Sequence, residues 1–180
     1  SVLPDVEILP RGLLFWRSFT HWIGGMGILV FMMAIVPSDS GRSMHMMRAE
    51  MPGPVVGKLV PRVRDTAKIL YIIYLVLTAL MVVLLRCGGM SLYDSLVHAF
   101  GTAGTGGFGV YRNSLAGFSP YIQWVVTIFM LLFGINFNLY YLILVRHFRA
   151  AIRSRELWVY LGLVLASSGL IAWNIRALYS

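Results

Sequence analysis

Residues 91–109 read SLYDSLVHAFGTAGTGGFG, an amphipathic stretch that runs into a loop of glycine and threonine. Ser91 followed by Asp94 has the spacing of a capping box, and Leu92, Leu96, Ala99 and Phe100 recur at helical intervals, which predicts a helix over residues 91–100. At ~1.5 Å per residue it covers roughly 15 Å, half of the ~30 Å hydrocarbon core of a bilayer. In a membrane it must therefore enter, stop midway and return. The return is residues 101–109. Non-helical backbone survives at that depth only where protein buries it or a watery cavity hydrates it, because lipid satisfies neither amides nor carbonyls. Glycines let successive carbonyl oxygens face one way, and such oxygens replace the hydration shell of a monovalent cation. The carboxyl end of the helix, near Phe100, adds the negative pole of its macrodipole. The stretch reads as one re-entrant pore loop of a cation channel or transporter.

Two other readings compete. Gly104, Gly106 and Gly109 formally satisfy G-x-G-x-x-G, but a dinucleotide fingerprint needs a buried strand before it and a helix opening within it. Here an amphipathic helix precedes and a polar segment follows. A glycine-rich linker between two spans fits the spacing as well as a pore loop does, and the residues alone leave both open.

Of the 180 residues 58% are hydrophobic and 12% charged, with mean hydropathy +0.77, which places the chain among all-α integral membrane proteins rather than soluble domains. The net charge of +8 lies in segments between apolar spans and not on a face interleaved with aromatics, so nucleic acid is excluded as a partner and the lipid bilayer is the expected one. Cys87 is the single cysteine, too few for a disulfide or a cysteine metal cluster. No secretory signal is visible and the first residue is not Met, which predicts a piece of a longer chain.

Residues 1–10 form a short polar entry, with Pro10 where a first helical turn accepts it. Residues 13–36 are apolar, with Trp16 and Trp22 as interfacial anchors. Arg17 and His21 share one face there and must lie at the interface or against protein; Gly24, Gly25 and Gly27 read as a helix-packing patch rather than an ion contact. Residues 37–68 carry Arg42, Arg48, Lys58, Arg62, Arg64 and Lys68 against three acidic residues, which puts them in the cytoplasm. Met44, Met46 and Met47 read equally as a partner surface or an interfacial patch. Residues 69–85 form a second span ending at Arg86, and residues 110–119 lie outside with Arg112 their one basic residue. Residues 121–145 form a third span opened by Pro120 and interrupted by Gly134, Asn136 and Asn138, which either line a cavity or bond between helices. Arg146, Arg149, Arg153 and Arg155 mark a second cytoplasmic turn before a fourth span at 157–175, flanked by Trp158 and Trp173.

Four stretches, LLFWRSFTHWIGGMGILVF (13–31), MRAEMPGP (47–54), HAFGTAGTGGFG (98–109) and the Gly-x-Asn of Gly134 and Asn136, resemble the membrane subunit of bacterial Trk-type potassium uptake systems, in the Trk/Ktr/HKT superfamily. The resemblance implies a potassium-channel-like fold of helix, pore loop, helix repeats, four to a full chain. On it, residues 1–36 hold the closing helix of the first repeat and 37–68 a cytoplasmic connector. Residues 69–146 are the complete second repeat, with helix 69–86, pore helix 91–100, filter 102–108 and helix 120–146. Residues 147–156 are a second cytoplasmic connector, and 157–180 hold the opening helix of the third repeat. The implied filter carbonyls are those of Ala103, Gly104, Thr105, Gly106 and Gly107, with Gly107 the filter glycine and Phe108 packed behind it; Gly109 stands where the family often has serine.

The same resemblance implies potassium as the transported ion, no organic cofactor, a cytosolic nucleotide-binding regulatory subunit as partner and a homodimer of the full-length subunit. It also implies the bacterial inner membrane, with residues 37–68 and 147–156 cytoplasmic and 87–119 on the outer side. A non-conducting scaffold or accessory subunit is the alternative. An enzyme is not expected, because Asp94, Glu50, His21, His45, His98 and His147 are scattered over both sides of the membrane.

Overall fold

A computed structural model of the chain describes residues 6–27 and 63–179. The MRAEMPGP stretch, Met44, Met46 and Met47, and most of the basic connector at 37–68 lie outside the described residues. The helices are α1 (Arg11–Gly25), α2 (Val63–Cys87), α3 (Leu92–Ala103), α4 (Pro120–Gly134), α5 (Phe137–Leu144), α6 (Phe148–Ile152) and α7 (Arg155–Tyr179). No strand occurs among the described residues. Among the described residues two helices are long and apolar enough to cross a membrane, Ala67–Cys87 and Arg155–Arg176, and α4 with α5 makes a third if counted as one broken span. The fold is that of an all-α integral membrane protein.

The chain divides into two compact units, residues 1–137 and 138–180. In the first, α3 is the central element and packs against α1, α2 and α4. The buried stripe of α2 is Ala67, Leu70, Tyr74, Thr78, Met81 and Leu85, spaced three or four apart. Ile72, Val76, Leu80 and Val83 on the same helix stay exposed, as suits a helix with one side against protein and one toward lipid. From α4 come Ile122, Val125, Val126, Phe129 and Phe133.

α2 ends in a Schellman turn: Gly89 (φ +90°) donates to the Arg86 carbonyl at 3.0 Å and Met90 to the Leu85 carbonyl at 3.2 Å. Met90, buried at 1% exposure, seals the turn apolarly. The Ser91 hydroxyl then caps α3, accepting from the Asp94 amide at 3.1 Å and donating to the Asp94 carboxylate at 2.7 Å. α3 continues past the expected end at 100, through Gly101 and Thr102 to Ala103. Close packing outweighs the intrinsic cost of a helical glycine, about 1 kcal/mol. Gly101, Thr102 and Ala103 are all buried.

Two other boundaries differ from the periodicity. α1 closes at Gly25, followed by Gly27 at φ +77°, inside the stretch read as one apolar span over 13–36. The segment read as one helix over 120–146 is divided after Gly134, where Ile135 is extended (φ −76°, ψ 140°) before α5 begins. In the second unit α5 ends in another Schellman turn, with Arg146 at φ +62° donating to Ile143 at 3.0 Å and His147 to Leu142 at 2.8 Å.

α1 is tied to α2 by polar contacts. The Tyr74 hydroxyl donates to the Trp22 carbonyl at 2.7 Å, and the Trp22 indole donates to the Thr78 hydroxyl at 3.2 Å. Trp22 is in the last turn of α1, where carbonyls lack intrahelical partners. Tyr74→Phe in the full-length parent should therefore lower stability by about 1–3 kcal/mol, seen as a lower unfolding temperature of the detergent-purified protein. An unchanged transition would show that the bond contributes nothing net.

Candidate functional site

The carboxyl end of α3 is closed by its own loop. Thr105 donates to the Thr102 carbonyl at 2.8 Å and Gly106 to the Gly101 carbonyl at 3.0 Å, the bond pair of a Schellman cap, and Gly107 adds a second donor to Gly101 at 3.2 Å. The left-handed position of this cap belongs in most helices to glycine; here it is Thr105, at φ +57°. A β-branched residue there is a real outlier, held at a cost of about 1–3 kcal/mol by the bonds on either side. The Thr105 hydroxyl donates to the Gly104 carbonyl at 2.7 Å, and Gly107 is again left-handed at φ +65°.

The consequence is an asymmetry. The amides of Gly104, Thr105, Gly106 and Gly107 are turned back onto the helix, whereas the carbonyls of Thr105, Gly106 and Gly107 meet no donor among the described residues. Ala103, expected to open the filter, is the last residue of α3, buried at 2% exposure, while Thr105 and Gly107 are exposed.

Packing shapes the loop from behind. A side chain on Gly101 would place its Cβ 2.6 Å from the Phe108 carbonyl oxygen, so helix end and returning strand touch through backbone. α1 presents Arg17, His21 and Gly25, four apart on one face. A Cβ on Gly25 would lie 2.9 Å from the Gly104 Cα and 3.1 Å from the Ala103 oxygen, and the His21 ring occupies the space that side chains at Gly104 or Gly106 would need. The Arg17 guanidinium donates to the Gly109 carbonyl at 2.9 Å and lies 5.4 Å from the centre of the Phe108 ring, whose edge also meets His21. Phe15, Phe19 and Trp22 pack their rings on Phe100, with centroids 5.9, 5.9 and 5.2 Å away.

Arg17 and His21 thus face protein, and the protein they face is the glycine loop. Their spacing and the glycine one turn further were the signal; their target was not readable. Gly25 joins the same contact, whereas Gly24 has nothing near it. Gly134 is exposed and Asn136 and Asn138 half-buried around the break after α4; the α4 residue facing the loop is Met130, 3.3 Å from where a Gly107 Cβ would stand.

On the other flank His98, buried in α3, bonds the Asp94 carbonyl through Nδ1 at 2.8 Å, and its Nε2 has no partner among the described residues. A Cβ at Gly109 would stand 3.1 Å from that nitrogen. Further out the Tyr111 hydroxyl donates to the Asp94 carboxylate at 3.3 Å and the Arg112 amide to Glu7 at 3.1 Å. Burial, and then the Asp94 charge, push the Tyr111 phenol upward, so it stays a donor at neutral pH.

A family model described as a cation transport protein, TrkH, matches residues 1–165. The chain belongs to the TrkH family. The chain is 39% identical to the Trk system potassium uptake protein TrkH of Escherichia coli K12 over 146 residues, 80% of this chain and 30% of that protein. It is 35% identical to the E. coli K12 Trk system potassium uptake protein TrkG over 182 residues, 97% of this chain and 37% of that protein. The crystal structure of the potassium transporter TrkH from Vibrio parahaemolyticus superposes with a TM-score of 0.57 at 34% identity, over 76% of this chain and 26% of that one. The chain thus spans about a third of the length of the TrkH-family proteins it matches.

Proposed function

We infer that this chain is part of a potassium-translocating membrane subunit, to which residues 103–107 contribute one quarter of a selectivity filter. The observation that carries the reading is the loop's asymmetry: amides tied back to a half-length helix, and carbonyls at Thr105, Gly106 and Gly107 that meet no donor among the described residues. Carbonyls in that condition replace the water around a dehydrated monovalent cation, and α3 directs the negative end of its dipole toward them. The names of the relatives, potassium uptake proteins, supply the ion. Four such loops make a filter, so the activity belongs to the full-length parent.

The break after Gly134 supports the cavity reading of Gly134 and Asn136, because carbonyls that lose their helical partners at a break within an apolar span need a polar environment. By the family resemblance the working assembly is a homodimer in the bacterial inner membrane with a cytosolic nucleotide-binding regulatory subunit. The basic turn at Arg146, Arg149, Arg153 and Arg155 would lie on that subunit's side.

Cysteine accessibility separates the filter from a linker in an accessory subunit. In the full-length parent with the exposed Cys87 replaced by serine, Thr105→Cys should react with small permeant thiol reagents and lose uptake, and should resist bulky impermeant ones. Free reaction with bulky reagents, with uptake retained, would favour the linker.

A further inference from the structure

Arg17 belongs to α1, a helix that sequence order separates from the loop by more than one element. Its guanidinium nevertheless ends on the loop, 92 residues away in sequence, at the Gly109 carbonyl. We propose that Arg17 is a positioning residue for ion selection: by holding the Gly109 carbonyl and covering the Phe108 ring, it fixes the end of the return strand and with it the orientation of the carbonyls at Thr105, Gly106 and Gly107. This rests on the filter reading above.

Three observations converge. The bond is charge-assisted, the strong kind, and is directed at the backbone of the loop rather than at a side chain. The same guanidinium lies against the ring of Phe108, whose own carbonyl abuts Gly101 at the end of α3, so Arg17 grips two successive residues, the first of which is seated on that end and the second beside His98. One turn on, the His21 ring fills the space beside Gly104 and Gly106, and a further turn on, Gly25 lets α1 touch Gly104. One helix face therefore meets the loop at Gly104, Gly106, Phe108 and Gly109. Among those contacts only Arg17 supplies a hydrogen bond from α1 to the loop backbone among the described residues. The Arg17 Nε is buried and has no partner among the described residues, so the Gly109 carbonyl is the acceptor that the guanidinium meets there.

A charge used only to fill space would be replaceable by an apolar side chain of similar length. A positioning charge would not. Arg17→Met in the full-length parent, expressed in cells lacking their own potassium uptake, should raise the half-saturating potassium concentration and lower discrimination against sodium, each about fivefold or more, at normal membrane abundance. Arg17→Lys keeps a charged donor but loses the planar fork and its stacking on Phe108, and should fall between.

Unchanged half-saturation and discrimination in Arg17→Met overturns the proposal. If the Met variant does not accumulate, Arg17→Lys decides: lowered discrimination at normal abundance supports the role, and wild-type discrimination overturns it. Gly107→Ser is assayed beside them. A selectivity change there but not in the Arg17 variants refutes the positioning role alone, whereas no change at Gly107 refutes the filter reading and the positioning role with it.

Discussion

Gly101→Ala in the full-length parent is expected to reduce potassium uptake at limiting external potassium by at least about tenfold, a factor that corresponds to roughly 1.4 kcal/mol. The added Cβ would stand 2.6 Å from the Phe108 carbonyl oxygen, and that neighbour is backbone, with no rotamer to move into. Relief requires the end of α3 and the return strand to separate. Gly101 is also the acceptor for both the Gly106 and the Gly107 amides, so separation stretches the two bonds that close the loop. Overpacking costs about 1–3 kcal/mol, and each weakened bond about 0.5–1.5 kcal/mol more. Gly24→Ala is the control, since nothing lies within 4 Å of its added Cβ and alanine favours the helix. Uptake measured with membrane abundance distinguishes a lost filter from a lost protein. Wild-type transport by Gly101→Ala would mean that α3 and the loop do not meet in this way.

Gly107→Ser should act differently, leaving a folded protein with a poorer filter. Space is not the obstacle there, because the nearest atom is the terminal methyl of Met130 at 3.3 Å, the end of a flexible side chain. The obstacle is φ +65°, which a side chain adopts at a cost of about 1–2 kcal/mol. The backbone is expected to relax away from that conformation and turn the neighbouring carbonyls with it, lowering potassium over sodium discrimination by about tenfold. Gly107→Asn tests the cause, since asparagine tolerates the left-handed region better than serine or alanine. If conformation is what matters, Asn retains more discrimination than Ala. Equal loss in both would make bulk the cause, and unchanged discrimination in Gly107→Ser would remove the filter from this loop.

What the sequence determined by itself is what local chemistry and periodicity encode. Ser91 and Asp94 predict a cap because the reach of a hydroxyl to an amide three residues on depends only on nearby backbone, and that cap is present. The apolar runs at 69–85 and 157–175 predict helices long enough to cross a membrane, because the length of an apolar run sets that property without reference to its neighbours, and helices of that length and character are present at 67–87 and 155–176. The glycine run marks a place where the chain must leave the helix, and the motifs around it lead to the family.

Which residues meet is set by tertiary packing. Periodicity shows that Arg17 and His21 share a face but carries no information on a loop some 90 residues away, and it cannot place Gly101 inside α3, since an isolated helix would fray there. Burial against α1, α2 and α4 is what carries the helix on to Ala103. Thr105 is the sharpest case. Threonine disfavours φ > 0 on its own, and it adopts +57° because the cap bonds to Gly101 and Thr102 act together on its flanks. Local preference and global packing conflict at that residue, and packing decides because several contacts, each modest, are made at once by a backbone that has no other way to close.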